Sequence, residues 1–360
     1  MLDALQPIAR ACDLTIPEHL HRGVAIVGAG AIVEVAHLPA YRRAGLQPKG
    51  IFDLDHSRAE ALAEQFGLAH VYASLEEVLG DPDVEVVDIA VVPTAQPEIA
   101  KRVLAAGKDV LAQKPVAVDT TLGADLVAAA EASGRVLVVN QQMRYGEGIA
   151  ATRAIAEAGW LGELTAFTID VNITTDFTAW GWLVESAQLD LMYHSIHYFD
   201  SVRSILGDPS TLYCVAGRRR GQAPAGETRT TTTMTFPSGV RALVNVNHEN
   251  VTDDPSATFR LDGTQGSVRG TIGLLLDYPH GRPDTVEVRS AVLPTDGWLS
   301  YPVTTRWIPD AFAGPMRALL QQVAGGEPAP TSGADALRTL ALVEAGYESI
   351  RTGEVSHLSW

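Results

Sequence analysis

Two groups of residues in this chain have the types and spacing for chemistry. The first is Gln113-Lys114-Pro115, which follows the apolar run Lys108-Asp109-Val110-Leu111-Ala112. This places Lys114 at the carboxyl end of a strand, where an ammonium could bind a reacting alcohol and favour its alkoxide. Pro115 fixes the local backbone and is a candidate cis bond. The second lies in Gln188–Gly207. At roughly 100° per residue, Asp190, Tyr193, His194 and His197 share about a third of a helix surface, a single polar, titratable face. His197 suits a general base for an alcohol proton, with Asp190 or His194 one turn earlier to orient it. The alternatives are a pair of structural histidines in a polar core, or imidazoles at i and i+3 sharing an ion. No further His or Cys cluster in the sequence completes a shell, so no metal is expected.

The elements that must position these groups begin with Gly23-Val24-Ala25-Ile26-Val27-Gly28-Ala29-Gly30-Ala31-Ile32-Val33, which reads as strand, turn and helix. Gly28 permits the tight turn and Gly30 lets the backbone approach a pyrophosphate. Ala31 and Ile32 offer helix N-terminal N–H groups to it, while Val33 stands where Gly or Ala is usual. Asp53 closes the next strand, Lys49–Asp53. Its carboxylate can accept both ribose hydroxyls and repel the extra phosphate of NADP, so NAD is the expected cofactor and NADP the lesser alternative. Asp55 could share that task, Arg58 could tolerate a phosphate, and the competing reading of Asp53 is a cap for the helix that begins near Ser57.

From Gly23 to Asn140, apolar runs (Val24–Val27, Gly50–Phe52, Val84–Val92, Val110–Leu111, Val136–Val139) alternate with helical stretches. That alternation specifies a doubly wound parallel sheet with its ligand at the carboxyl ends of the strands. Beyond Arg144, one helical stretch (Gly148–Ala158) gives way to period-two strands: Leu164–Ile173, Thr211–Ala216, Arg229–Phe236, Val240–His248 and Ala257–Leu261. Pro237-Ser238-Gly239 reads as a hairpin turn, and helical spacing returns over Ala311–Val323 and Gly333–Ile350. The expected organisation is an N-terminal arm over 1–22, an α/β dinucleotide-binding domain over 23–145, and an α+β domain over 146–360 with a large, mainly antiparallel open sheet. The second domain would serve substrate binding and oligomerisation. No helical stretch hides both faces of that sheet, so pairing with another subunit, as homodimer or homotetramer, is expected.

Ahead of the candidate helix, Asp176, Trp180 and Trp182 occupy a loop suited to carbohydrate, the rings stacking on C–H groups and the acid gripping hydroxyls. The competing reading packs the tryptophans onto the sheet. Arg144 and Tyr145, after the last strand of the first domain, could contact cofactor or substrate; Asn247 and His248, at a later strand end, are weaker candidates. The 360 residues carry a formal charge of −16, which disfavours nucleic acid and anionic membrane and points to a small neutral partner. Cys12 and Cys214 make no metal spacing or disulfide framework. The first 22 residues lack the apolar stretch of a signal peptide and no segment reaches membrane-spanning length, so a cytoplasmic protein is expected.

Taken in order, Gly-Ala-Gly at 28–30, Ala36-His37-Leu38-Pro39-Ala40, Asp53, Ala106-Gly107-Lys108, Gln113-Lys114-Pro115, Gln142-Met143-Arg144-Tyr145 and His197-x-x-Asp200 resemble the glucose-fructose oxidoreductase/inositol dehydrogenase (Gfo/Idh/MocA) family. So does the tail, Pro328-Ala329-Pro330-Thr331-Ser332-Gly333 with Ala336-Leu337 and Gly353. The resemblance spans about Val24 to Gly353. It implies a Rossmann domain, an open-sheet α/β domain, dimers or tetramers, and NAD(P)-dependent oxidation or reduction of sugars and polyols. It implies that Lys114 touches nicotinamide ribose and substrate, that His197 is the helix histidine, and that Gln96, Gln113 and Gln142 lie toward the cofactor. The chain departs from the family in three places: Gln113 replaces the usual acid, Gln96 stands where histidine is common, and Tyr193 occupies the place of an aspartate. Tyr193, His194 and Asp190 are then expected to share that aspartate's role, Tyr193 relaying a proton if its pKa were lowered. The leading reading is a sugar or polyol dehydrogenase; the alternatives are an NAD-retaining glycosidase acting by transient oxidation and a non-catalytic NAD- or sugar-binding regulator.

Overall fold

A computed structural model describes residues 2–360 except 253, 279 and 295, with the side chains of 2–4 and 179 set aside. The chain divides into two compact units, one of residues 14–145 with 308–340 and one of 1–13 with 146–307 and 341–360. These limits differ from those read from the sequence. Residues 308–340 return to the first unit, and the arm splits at residue 13.

In the first unit, β1 (Val24–Val27), β2 (Gly50–Phe52), β3 (His70–Val71), β4 (Val86–Ile89), β5 (Asp109–Gln113) and β6 (Leu137–Asn140) form one parallel sheet. Its order is β3-β2-β1-β4-β5-β6, so the sheet reverses direction of growth between β1 and β4 and opens a crevice at their carboxyl ends. The strands are short and apolar because helices bury both faces; β1, β4 and β6 are buried throughout. The returning segment explains its own attachment. Val139 N–H donates to Thr331 O at 2.8 Å, and helix Ala313–Val323 packs on β5 and β6.

The second unit holds β7 (Leu164–Asn172), β8 (Thr211–Gly217), β9 (Arg229–Thr235), β10 (Arg241–Asn247), β11 (Ser256–Gly263), β12 (Gly266–Thr271), β13 (Thr285–Ser290), β14 (Leu299–Tyr301) and β15 (Ser356–His357). They form one nine-stranded sheet in the order β14-β13-β12-β11-β7-β10-β9-β8-β15, antiparallel except where β7 meets β10. Period two is plain: Phe167, Ile169 and Val171 are buried while Thr168, Asp170 and Asn172 face outward. The outward residues bond across strands, Thr231 to Asn245 at 2.8 Å and Asn245 to Asp170 at 2.7 Å. The hairpin at Gly239 closes as expected, with φ +85° there. The terminal helix Leu2–Ala11 packs on helix Glu147–Glu157 with Ile8 fully buried, and Cys12 and Cys214 are buried thiols. Among the described residues, no helix is long and apolar enough to cross a membrane.

Asp284 shows what that packing costs. It receives Gly273 N–H at 2.8 Å and lies so close to Gly148 that a Cβ there would come within 2.3 Å of its Oδ2. Burial pushes its pKa up to about 7. A raised folded-state pKa favours the protonated fold, so this group's contribution to stability is complete below its ordinary value of 3.8, declines as pH rises, and is lost above about 7. Thermal unfolding of the native chain should therefore fall by several degrees from pH 5 to pH 8. Asp284→Asn, whatever its absolute melting temperature, should flatten that fall; an unchanged slope would show that Asp284 does not titrate in this window.

Candidate active site

The nucleotide turn is built around two glycines that do different things. Gly28 has φ +111°, and a Cβ there would sit 2.4 Å from Ala90 O, so the turn itself demands glycine. At Gly30 a Cβ would meet nothing within 4 Å, so the space is closed by no protein atom. Asp53 ties this turn to the end of β2: Ala29 N–H donates to its Oδ2 at 2.6 Å and Asp55 N–H to its Oδ1 at 2.7 Å. Each carboxylate oxygen keeps a lone pair for a further donor. The cap of the next helix is Asp55, so Asp53 is not a helix cap; Arg58 pairs with Asp55 at 3.3 Å. Ala31 and Ile32 open the following helix, and Val33 is accommodated because the helix widens into a π-turn over Val33–His37.

Lys114 stands at the end of β5, with a cis bond to Pro115, partly open to solvent. Desolvation lowers its ammonium to a pKa of about 8. Two residues expected to reach the cofactor brace this turn. Gln96 is buried and its Nε2 donates to Gln113 O at 2.6 Å and Pro115 O at 2.9 Å. The Gln113 side chain accepts Lys114 N–H at 3.0 Å and donates to His37 Nε2 at 2.8 Å. Arg144 is buried and binds Pro330 O at 2.7 Å and Asp335 at 2.8 Å, and Tyr145 reaches Thr331 at 3.4 Å, so both hold the returning segment. Gln142 keeps its place near the strand ends. Its Oε1, and both polar side-chain atoms of Gln141, are buried with no hydrogen-bond partner among the described residues. Open space at Gly30, the Asp53 carboxylate and these orphaned amides fit a dinucleotide.

In the second unit the expected single polar face does not form. Leu191–Ser195 is a π-turn and only Ile196–Leu206 is α-helical, so Tyr193 and His197 turn to different neighbours while Asp190 and His194 stay together. Asp190 is fully buried toward β9 and β10, where it accepts His248 Nε2–H at 2.9 Å, Ser195 OH at 2.7 Å and the hydroxyl of Thr230. Burial works to raise its pKa, but these hydrogen bonds and the imidazoles hold it below the usual carboxylate value. The His194 ring lies 4.7 Å from that of His248, tilted to it by 60°, and edge-on to Phe177. Tyr193 meets Trp182 edge to face at 5.1 Å and packs on Phe177, Leu183 and Leu189. Burial raises its pKa against an opposing hydrogen bond from Ser186, which overturns the lowered pKa that a proton relay through Tyr193 requires. His197 is buried, its ring edge-to-face with Trp307 at 5.2 Å.

His248, a weak candidate by sequence, thus becomes central. Asp190, His194 and His248 offer ligand atoms within 4.8 Å of one another, a set able to share a cation that the sequence did not reveal. In the structure the Asp190 carboxylate is instead engaged by three protein donors. Trp180 packs in the loop's own apolar cluster, the structural alternative, while Trp182 is 46% exposed. Asp176 caps its turn through Thr178 N–H at 3.0 Å and lines a depression with Thr175, His248 and Asn250. Sequence reasoning missed Glu227, which caps the start of the helix through Leu189 N–H at 3.2 Å and Leu191 N–H at 3.1 Å and takes the Tyr347 hydroxyl. Nothing in its own neighbourhood signals that partner. Asp88 and His37 were also missed as a pair, although a lone acid inside the buried run of β4 was a readable sign.

Comparison with known proteins agrees with this geometry. Residues 22–141 match the family model described as an oxidoreductase family, NAD-binding Rossmann fold, and residues 154–358 its C-terminal alpha/beta domain. The chain is 29% identical over 351 residues to a D-apiose dehydrogenase of Paraburkholderia graminis, covering 93% of this chain and 89% of that protein. It is 26% identical over 339 residues to a 1,5-anhydro-D-fructose reductase of Ensifer adhaerens, covering 92% and 97%. Among solved structures, an oxidoreductase from Agrobacterium radiobacter in complex with NAD+, L-tartaric acid and magnesium superposes with TM-score 0.82 at 25% identity, covering 94% of this chain and 98% of that one.

The two glycines give a direct test of the cradle. Gly30→Ala should leave the melting temperature within about two degrees, since its Cβ meets no protein atom, yet raise the NAD dissociation constant at least about tenfold. Gly28→Ala should lower both stability and affinity. Isothermal titration and calorimetry read the two quantities, and unchanged affinity in Gly30→Ala would place the dinucleotide elsewhere.

Proposed function

Because the chain belongs to the Gfo/Idh/MocA oxidoreductase family, whose NAD-binding Rossmann fold its first unit carries, we propose that it transfers a hydride between a secondary alcohol of a sugar, glycoside or polyol and nicotinamide. The observation that carries this reading is Lys114, a partly desolvated ammonium of pKa about 8 on the strand end of a nucleotide-binding sheet. Names borne by relatives aligned over more than nine-tenths of the chain, D-apiose dehydrogenase and 1,5-anhydro-D-fructose reductase, support a carbohydrate as the substrate class.

In this reading Gly28, Gly30, Ala31 and Ile32 hold the pyrophosphate, Asp53 the adenosine ribose, and Gln142 the remainder of the dinucleotide. NAD supplies the hydride acceptor when bound. The Lys114 ammonium donates to the substrate oxygen and lowers the free energy of the alkoxide. A pKa near 8 leaves it mostly charged at pH 7 and still able to release a proton. His197 accepts the hydroxyl proton. His194, set by its contacts with His248 and Phe177, and Asp190 supply the negative and polar surroundings that Tyr193, kept as a phenol, does not. Asp176 and half-exposed Trp182 are the remaining residues assigned to sugar contact. The open face of the nine-stranded sheet is assigned to pairing with a second copy.

Lys114→Ala and His197→Ala should each cut kcat by at least about 100-fold while NAD affinity stays within about threefold. Absorbance at the NADH band, with NAD or NADP against monosaccharides including apiose, glycosides and inositols, measures this together with substrate and coenzyme. Full activity in His197→Ala would remove it from the mechanism. Net glycoside hydrolysis without NADH, or NAD binding with no turnover on any compound, would replace the dehydrogenase reading.

A further inference from the structure

Behind Lys114 lies a buried chain of polar side chains in the first unit. Asp88, at 0% exposure in the middle strand β4, takes the Tyr41 hydroxyl at 2.6 Å and His37 Nδ1 at 2.7 Å on the same oxygen. His37, also at 0% exposure, turns its other nitrogen to Gln113 Nε2 at 2.8 Å, with Asn140 Nδ2 at 3.4 Å. Gln113 in turn meets the backbone of Lys114.

The protonation pattern of this chain follows from one donor that cannot reverse. The Lys114 backbone N–H only donates, so the Gln113 atom 3.0 Å from it is the carbonyl oxygen, and the Gln113 amide nitrogen faces His37. An amide nitrogen only donates. His37 Nε2 must then accept, which leaves the ring neutral with its proton on Nδ1, aimed at the Asp88 carboxylate. A carboxylate at position 113 could not join this chain unchanged, because its oxygen would face the Nε2 lone pair and call for a second ring proton.

We propose that His37, held as the neutral Nδ1–H tautomer by Asp88 and Tyr41, is a positioning residue for Lys114 that acts through the Gln113 side chain. Gln113 is matched to that tautomer: it passes the rigidity of the β4 carboxylate to the Lys114 backbone. Gln96 fixes the carbonyls on either side of Lys114, Gln113 O and Pro115 O, so the lysine's backbone is held from both the amide and the carbonyl side. The functional part of this inference rests on the reading of Lys114 as the group that binds the reacting oxygen.

Long-range 1H–15N correlation on the full chain, with His37→Gln assigning the resonance, should show His37 protonated at Nδ1 and bare at Nε2 at pH 7.5. In Gln113→Glu both nitrogens should be protonated. A bare Nδ1 or an imidazolium in the native chain overturns the proposal without any activity measurement. In turnover, His37→Leu and Gln113→Leu should each lower kcat about 10-fold or more with NAD affinity kept, and the double variant should be no worse than about twofold below the weaker single one. His37→Gln, whose carboxamide oxygen reaches the Nε2 position, should recover part of the loss. Since His37→Leu leaves Asp88 buried without its imidazole, the same cycle is run in Asp88→Asn as well. Additive losses alongside an inactive Lys114→Ala defeat the positioning role alone, whereas an active Lys114→Ala defeats the hydride reading and leaves the tautomer result standing.

Discussion

In each unit of this molecule a fully buried aspartate is surrounded by an imidazole and hydroxyls. Asp88 meets His37 and Tyr41; Asp190 meets His248, Ser195 and Thr230. A carboxylate taken out of water without partners costs several kcal/mol, so neither position can exist unless the elements carrying the partners are fixed relative to one another. In the first unit that requirement joins the π-turn at Val33–His37 to β4 and, through Gln113, to the end of β5. In the second it joins the start of the His197 helix to the ends of β9 and β10. The apolar cores supply the bulk of the burial. The two carboxylates specify which residues must face each other within it.

The two π-turns belong to the same constraint. A π-turn inserts one extra residue in a helix and rotates the turns before it relative to the turns after it. At Val33–His37 it brings His37 against Asp88 while Val33 stays buried. At Leu191–Ser195 it lets Asp190 turn to the sheet, Tyr193 to the Trp182 loop and His197 to Trp307. A regular helix would have kept Asp190, Tyr193 and His197 on one face.

That difference marks where the sequence was legible. The Gly28–Gly30 turn, Asp53, the six parallel strands apart from two-residue β3, and strands β7 to β11 follow from short-range periodicity and turn chemistry, and they stand where the pattern puts them. β12, β14 and β15 did not announce themselves, being glycine-containing or short, and the alternation of β13, Thr285–Ser290, was not picked out. The return of residues 308–340 to the first unit depends on contacts such as Arg144 with Asp335, which join positions far apart in the chain. Helical periodicity misjudged the His197 region for a related reason. The register slip is set by Asp190 bonding to Thr230 and His248, on strands that local pattern cannot connect to it. Gln96 and Gln113 were read as lying toward the cofactor; their buried amides answer to neighbouring carbonyls and to His37, contacts that local pattern does not reveal.

The two departures at positions 113 and 193 have a common physical sense. At each, a neutral side chain occupies the place where the family resemblance implies an acid, and behind each an imidazole stands before a buried carboxylate. Gln113 meets His37, which meets Asp88; Tyr193 precedes His194, whose ring contacts His248, which meets Asp190. Negative charge is therefore retained in both units but withdrawn behind an imidazole. At Lys114 the Gln113 carboxamide engages the backbone N–H, and desolvation lowers the ammonium to about 8.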